Sequence, residues 1–188
     1  MRCRGAGGAG RQGKVGLGLA SLALLCRHHC GNGHLLVQVR MKSVVDTNII
    51  NRLIDGSLST DDLPADELVA THIQIDELRR TPNAERRDRL LLRFETLVDS
   101  VVPTESMVLG VSRLDESKLG SGDLCRELKA DLDSRNGGKE NNTQDALIAE
   151  VATANGWTLL TADRDLAAVA KGRGCIVCYF KPPPPRRK

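Results

Sequence analysis

Four acidic residues occupy positions where an α/β protein places functional groups. Asp46 directly follows the apolar run SVV, and Asp163 comes shortly after the run WTLL. Asp145 and Glu77 lie in the first and second turns of predicted helices. Because the ligand crevice of an open α/β sheet lies beyond the carboxyl ends of its strands, these four side chains can converge there.

A cluster of four carboxylates predicts a bound cation. Two like charges about 4 Å apart repel by roughly 4 kcal/mol at an effective dielectric of 20, so such a cluster persists only with raised pKa values or with bound cations. Oxygen ligands without His or Cys select Mg²⁺ or Mn²⁺. Two such ions about 3.5–4 Å apart can clamp both oxygens of an in-line displacement at phosphorus. The pattern therefore predicts metal-dependent hydrolysis of phosphodiester bonds.

Each acid also has a purely structural interpretation. Asp46 and Asp163 can cap the helices that follow them. Asp145 can interact with the dipole of its own helix, and Glu77 can be a surface residue. Spacing along the chain leaves both interpretations open for every one of the four.

The elements that position these acids alternate along the chain from Met41 onward. Short β-branched or apolar runs predict strands at residues 43–45, 67–70, 157–160 and 175–180, with a brief strand or turn at 101–103. Helical patterns lie between them: residues 49–54, a helix opened by a Thr71–Gln74 capping box, one from Thr81–Pro82 to about Val98, 105–114, 123–133, one capped by Asn142 and ended by Asn155–Gly156, and 166–171. This alternation predicts an α/β domain with a mostly parallel sheet.

Charge is distributed unevenly over the 188 residues. The chain carries +3, but residues 43–180 hold 16 Lys and Arg against 24 Asp and Glu, a net charge of −8. A nucleic-acid substrate would therefore need local basic groups. Aromatic residues make up 2%, too few for a base-stacking platform. The candidates for phosphate contacts are Arg79, Arg80, Arg86, Arg87, Arg89 and Arg93, each of which can equally belong to a solvated helix face.

The two ends of the chain differ from its centre. Residues 1–40 are rich in Gly and Arg, with one apolar run too short to span a bilayer, and we expect either sequence upstream of a true start at Met41 or a targeting segment. Residues 41–180 form the predicted domain, and residues 181–188 a Pro/Arg-rich tail. Cys175 and Cys178 point to opposite faces of a predicted strand and, with Cys125, are typical of a reducing compartment.

Two segments carry a family resemblance. VVDTNIINRLI (44–54) and QDALIAEVATANGWTLLTADRDL (144–166), with Glu77-Leu78 between them and the closing strand, resemble a PIN domain over residues 43–180. The resemblance implies a three-layer α/β/α fold with a central, mostly parallel sheet. It also implies a Mg²⁺- or Mn²⁺-dependent endoribonuclease like the VapC-like toxins of type II toxin–antitoxin pairs, leaving 5′-phosphate and 3′-hydroxyl ends.

The same resemblance implies roles for individual residues and partners. The metal-site acids would be Asp46, Glu77, Asp145 and Asp163, with Asn48 and Thr161 as the polar residues that orient the first acid and the attacking water. Asp165 is either an auxiliary ligand or a helix-dipole partner. A small antitoxin, an RNA substrate and a second copy of the chain are the expected partners, in the cytoplasm and without membrane association.

Two other functions fit parts of the sequence. Asp163-x-Asp165 after a strand resembles the nucleophile pair of haloacid-dehalogenase-type phosphatases. In that class the pair comes early in the chain and a Thr stands where this chain has Ala167. The second alternative is a non-catalytic PIN module that acts as a scaffold for RNA or a protein partner.

Overall fold

The computed structural model describes residues 41–64 and 67–181. Five strands pair in the order β3-β2-β1-β4-β5, and every pair is parallel. Their bounds are β1 Lys42–Val45, β2 Glu67–Ala70, β3 Ser100–Val101, β4 Thr158–Thr161 and β5 Ile176–Tyr179. The α/β prediction with a parallel sheet is confirmed. The predictions for residues 1–40 and for most of the tail lie outside the described residues.

Six α-helices connect and cover these strands in the described part of the chain. They are α1 Thr47–Ile54, α2 His72–Arg79, α3 Ala84–Leu97, α4 Asp123–Asn136, α5 Asn142–Asn155 and α6 Arg164–Gly172. None of the helices described is long and apolar enough to cross a membrane.

Adjacent residues of the central strands point to opposite faces of the sheet. Val44 and Leu159 pack into a core with α4, α5 and α6, whereas Val45 and Leu160 pack into a second core with α1, α2 and α3. All four side chains are fully buried. A strand buried on both faces needs apolar residues at consecutive positions, which explains the unbroken apolar runs. The result is the three-layer α/β/α arrangement that the sequence predicted.

The cysteines follow the same alternation. Cys175 is buried in the core under α4–α6, and Cys178 is half-buried against the opposite core. Both are free thiols, as is Cys125. Their interpretation as packing residues on opposite faces agrees with this arrangement.

The predicted helix over residues 105–114 is wrong. This segment consists of turns and bends, and a short 3-10 helix follows at Leu114–Glu116. Gly110 has a φ of +81°, and the Ser112 hydroxyl accepts the Val108 amide at 3.0 Å, so the backbone groups that a helix needs are used elsewhere. The segment is held instead by backbone hydrogen bonds between Thr104 and residues 116 and 118.

Two predicted caps are displaced by one or two residues. Asn83, not Thr81, caps α3, with its Oδ1 accepting the Arg86 amide at 2.8 Å. Asn142 is the first residue of α5 rather than its cap, and Asn141 stands at the cap position. The Asn142 side chain instead donates to Asp133 at 2.6 Å. It therefore joins α5 to α4, a tertiary contact that local patterns do not reveal.

Gln74 fixes α2 against the central strand. Its Nε2 donates to the Val45 carbonyl at 2.9 Å, and its Oε1 accepts the Thr71 amide at 2.9 Å and the Thr71 hydroxyl at 2.6 Å. Gln74 and Thr71 are both fully buried. The capping box predicted from sequence therefore also sets the distance between α2, which carries Glu77, and the end of β1, which precedes Asp46.

Replacing Gln74 by leucine is expected to destabilise the protein by about 2–4 kcal/mol, because it removes three buried hydrogen bonds, those to the Val45 carbonyl, the Thr71 amide and the Thr71 hydroxyl. Urea unfolding monitored by circular dichroism measures this. The same substitution at Gln144, a half-buried position on α5, is the control and should cost less than about 1 kcal/mol. Equal costs at the two positions would contradict the role given to Gln74.

Candidate active site

A cavity of about 400 Å³ opens at the carboxyl edge of the sheet. Its lining contains only polar and charged residues: Asp46, Thr47, Asn48, Asn51, Glu77, Arg80, Asn141, Asp145 and Asp163. All four acids singled out in the sequence therefore meet at one place, although up to 117 positions separate them along the chain. The end of β1, the turn after β4 and helices α2 and α5 bring them together.

Asp46 is the most enclosed of the four. It lies between β1 and α1, its amide donates to the Leu160 carbonyl at 2.9 Å, and the residue is 3% exposed. Burial raises the pKa of Asp46 to about 7, opposed by hydrogen bonds from Thr161 and Asn48 and assisted by the charges of Glu77 and Asp163. A carboxyl group with such a pKa can exchange protons near neutral pH.

Asn48 and Thr161 hold the Asp46 carboxylate in place. The Asn48 amide and the Thr161 hydroxyl both donate to Asp46 Oδ2, the latter at 2.6 Å. Asn48 Oδ1 in turn accepts the Ala162 amide at 2.8 Å, and the Thr161 hydroxyl accepts the Asp163 amide at 3.0 Å. These bonds link α1 to the turn after β4. The geometry is that of an orientation role, with Thr161 fully buried behind the acid.

Asp145 and Glu77 face the cavity from α5 and α2. Burial, together with the charges of Asp46, Glu77 and Asp163, raises the pKa of Asp145 to about 8, and Lys139 opposes this. Asp145 Oδ2 accepts one hydrogen bond, from Asn141 at 3.0 Å. Burial also raises the pKa of Glu77, against the Thr47 hydroxyl, which donates to its carboxylate, and against the charge of Arg80.

Asp163 does two things at once. Its Oδ1 accepts the amides of Asp165 at 2.7 Å and Leu166 at 3.0 Å, so it caps α6 as its structural interpretation predicted. It also lines the cavity, and its Oδ2 lies 4.0 Å from Lys139 Nζ. Asp165 is not part of the lining and lies 3.7 Å from Arg135, an arrangement that agrees with its interpretation as a first-turn acid of α6.

The donor set of the cavity fits a hard divalent cation, because its lining offers the side-chain oxygens of Asp, Glu, Asn and Thr and contains no His or Cys. Burial of mutually repelling carboxyl groups points the same way. Over residues 41–64 and 67–181, however, no group of three or more His, Cys, Asp or Glu is positioned to hold an ion. Each carboxylate accepts a protein hydrogen bond through one of its two oxygens: Asp46 through Oδ2, Glu77 through Oε2, Asp145 through Oδ2 and Asp163 through Oδ1.

Several lining residues were not found from the sequence. Thr47 and Asn51 lie one and five positions after Asp46 on α1, and Asn141 lies directly before α5. The helical spacing of Thr47 and Asn51 is the one available signal, since residues four apart share a face. No sequence pattern pointed to Asn141, because its position depends on how the loop between α4 and α5 turns.

Comparison with solved structures gives matches over most of this chain. A member of the VapBC family of toxin-antitoxin systems from Mycobacterium tuberculosis is 19% identical, with 74% of this chain and 98% of that chain covered and a TM-score of 0.43. A domain of a functionally unknown protein from Methanocaldococcus jannaschii is 18% identical, with coverage of 79% and 96% and a TM-score of 0.46. FitAcB from Neisseria gonorrhoeae is 20% identical, with coverage of 72% and 95% and a TM-score of 0.36.

Comparison with curated protein sequences gives no significant match. The model of the PIN domain matches residues 43–172, well over half of the chain. These residues include all of β1 except Lys42, the strands β2, β3 and β4, and the four acids of the cavity. The chain therefore belongs to the PIN domain family.

Proposed function

We propose that this protein is a metal-dependent endoribonuclease, a specific form of the nuclease activity that its family suggests. The observation that carries the proposal is the meeting of Asp46, Glu77, Asp145 and Asp163 in one polar cavity at the carboxyl edge of the sheet. The raised pKa values of Asp46 and Asp145 are what a site built for a cation would show when its carboxylates are close together.

The residues of the cavity have different roles in the proposed hydrolysis of RNA. Asp46, Glu77, Asp145 and Asp163 would hold Mg²⁺ or Mn²⁺, which would stabilise negative charge at the phosphoryl group and make a water molecule more acidic. Thr161 and Asn48 hold Asp46 in one orientation through their hydrogen bonds. In their ionised form, the Asp46 and Asp145 carboxylates would orient the attacking water and take up the proton that it loses. The water oxygen bonds to phosphorus as the P–O3′ bond breaks, and the leaving 3′ oxygen takes a proton from solvent, which gives a 5′-phosphate and a 3′-hydroxyl end.

Removal of the metal is expected to abolish RNA cleavage. Wild-type protein incubated with single-stranded RNA should cleave it in MgCl₂ or MnCl₂, lose activity in EDTA, and regain it when excess Mn²⁺ is added. Gel electrophoresis of end-labelled RNA measures both the cleavage and the chemistry of the ends. RNA cleavage that persists in EDTA, or the absence of cleavage with either metal, would refute the proposed metal-dependent ribonuclease.

Assays of phosphomonoester hydrolysis and of RNA binding separate the two alternatives. A phosphatase would hydrolyse a small phosphomonoester and leave RNA intact, and a scaffold would bind RNA without cleaving it. The structure argues against the phosphatase alternative, which needs Asp163 and Asp165 as a pair in the site. Asp163 Oδ1 accepts two α6 amides, and Asp165 lies outside the cavity lining.

The biological setting is also a proposal. The resemblance of residues 44–54 and 144–166 to VapC-like toxins suggests a cytoplasmic toxin that is inhibited by a small antitoxin and acts as a homodimer. It further suggests that residues 41–180 suffice as the functional domain, with residues 1–40 and 181–188 as a leader and a tail. Growth arrest on expression of residues 41–188, relieved by Asp46→Asn, and a dimeric mass by light scattering would support this setting.

A further inference from the structure

Two cationic side chains flank the acidic cavity. Arg80 follows α2 directly, is exposed, and lines the cavity beside Glu77. Burial raises the pKa of Glu77, and the charge of Arg80 partly opposes this rise. Lys139 lies in the loop between α4 and α5, half exposed, with Nζ 4.0 Å from Asp163 Oδ2. Within the described residues, Arg80 makes no ion pair shorter than 4.0 Å, so its charge is available to a ligand.

These two cations reach the cavity beside different acids. Arg80 belongs to the helix that follows β2, whereas Lys139 contacts Asp163, which follows β4. The strands β2 and β4 are the two neighbours of β1, which ends at Asp46. Adjacent strands of a sheet lie about 5 Å apart, so the ends of β2 and β4 are about 10 Å apart. Arg80 stands beside Glu77 and Lys139 beside Asp163, so the two cations flank different acids of the cavity.

The other arginines considered from the sequence are used within the fold or lie away from the cavity. Arg86 forms a two-pronged ion pair with Asp55, at 2.6 and 3.1 Å. Arg79 lies 3.9 Å from Asp76. Arg89 and Arg93 lie on α3 and are not part of the lining. Of the six candidates, Arg80 alone lines the cavity.

We propose that Arg80 and Lys139 bind the backbone phosphates on either side of the scissile phosphodiester and so set the path of a single RNA strand across the strand ends. This inference rests on the proposed function and gives the substrate strand a direction along the edge of the sheet. A polyanion approaching a domain whose net charge over residues 43–180 is −8 is repelled by it, so local cations must supply the attraction. Arg80 and Lys139 can attract the phosphates because they lie next to the four acids of the cavity.

Arg80→Gln and Lys139→Gln are the test variants. Binding of a fluorescein-labelled single-stranded RNA, followed by anisotropy in EDTA so that no cleavage occurs, should weaken roughly 5–20-fold in each. The slope of log Kd against log salt concentration should fall by about 0.7 for each lost phosphate contact. In Mg²⁺, KM should rise by a similar factor while kcat changes less than about threefold.

Two charge-matched variants control for net charge. Arg79→Gln removes the neighbouring arginine, which already faces Asp76, and Lys171→Gln removes a lysine at the far end of α6, away from the cavity. Both should change RNA affinity less than about twofold. If all four variants weaken binding equally, or if none does, the inference is overturned.

The binding readout separates this inference from the proposed function. If the wild-type protein binds RNA through Arg80 and Lys139 but does not cleave it, this inference is supported and the proposed nuclease activity is refuted. Cleavage that requires Asp46 but tolerates both Gln variants with unchanged affinity and salt slope would refute the inference alone. Wild-type protein that binds no RNA at all would refute both.

Discussion

Replacing Asp145 by asparagine is expected to reduce RNA cleavage by roughly 10³-fold or more while raising the stability of the protein at pH 8 by about 1–3 kcal/mol. The amide cannot provide the charge that holds a cation or accept the proton of the attacking water. It also removes the repulsion and the burial cost that raise the pKa of Asp145 to about 8. Loss of activity with a gain in stability is typical of a residue retained for chemistry. Cleavage assays in Mn²⁺ and urea unfolding in EDTA measure the two effects.

Asp88→Asn is the matched control for this variant. Asp88 lies on α3 with its side chain 76% exposed, so the same chemical change should alter activity less than about twofold and stability within about 0.5 kcal/mol. An Asp145→Asn protein that retains a tenth of the wild-type activity would show that Asp145 is not part of the reaction. A loss of stability in place of the expected gain would indicate a structural role.

Topology explains why the acids could be found without a structure. Asp46 and Asp163 each follow a strand that is buried on both faces, and such strands are visible as unbroken apolar runs. Parallel strands end at the same edge of a sheet, so residues after β1 and β4 are neighbours whatever separates them in sequence. Glu77 and Asp145 were located by helix signals at the start of α2 and α5.

The residues that could not be predicted depend on contacts between distant segments. Lys139 lies near Asp163 because the loop after α4 turns through two glycines with φ of +77° and +76°, Gly137 and Gly138. A glycine pair predicts a turn but not its direction. Likewise, the segment 105–114 has the apolar residues of a helix, yet Leu109 is 87% exposed, and the segment is tied to α5 through the Ser106 hydroxyl, which donates to buried Glu150 at 2.7 Å.

In EDTA, the stability of the protein is expected to fall by about 2 kcal/mol between pH 6.5 and 8. Asp46 and Asp145 have folded pKa values of about 7 and 8, against an ordinary value of 3.8. Over this range the folded state therefore holds more protons than the unfolded state, and stability decreases as the pH rises. Two other groups contribute little. Burial lowers the pKa of His72 from 6.5 and raises the pKa of Cys125 to about 11, so neither changes charge in the folded state over this range. His72 still loses its proton in the unfolded state, which opposes the predicted fall by only about 0.4 kcal/mol.

Two further measurements identify the cause of this pH dependence. Because the slope comes from the two carboxyl groups, the Asp46→Asn/Asp145→Asn double variant should be nearly flat over the same range in thermal unfolding. Mg²⁺ or Mn²⁺ at about 100 times its Kd should stabilise the wild type by about 2.7 kcal/mol and the double variant hardly at all, since a ligand that binds only the folded state stabilises it by RT ln(1 + [L]/Kd). A wild-type slope that survives in the double variant would place the titrating groups elsewhere and remove the electrostatic argument for a cation site. Equal stabilisation of both proteins by the metal would show that the ion binds outside the cavity.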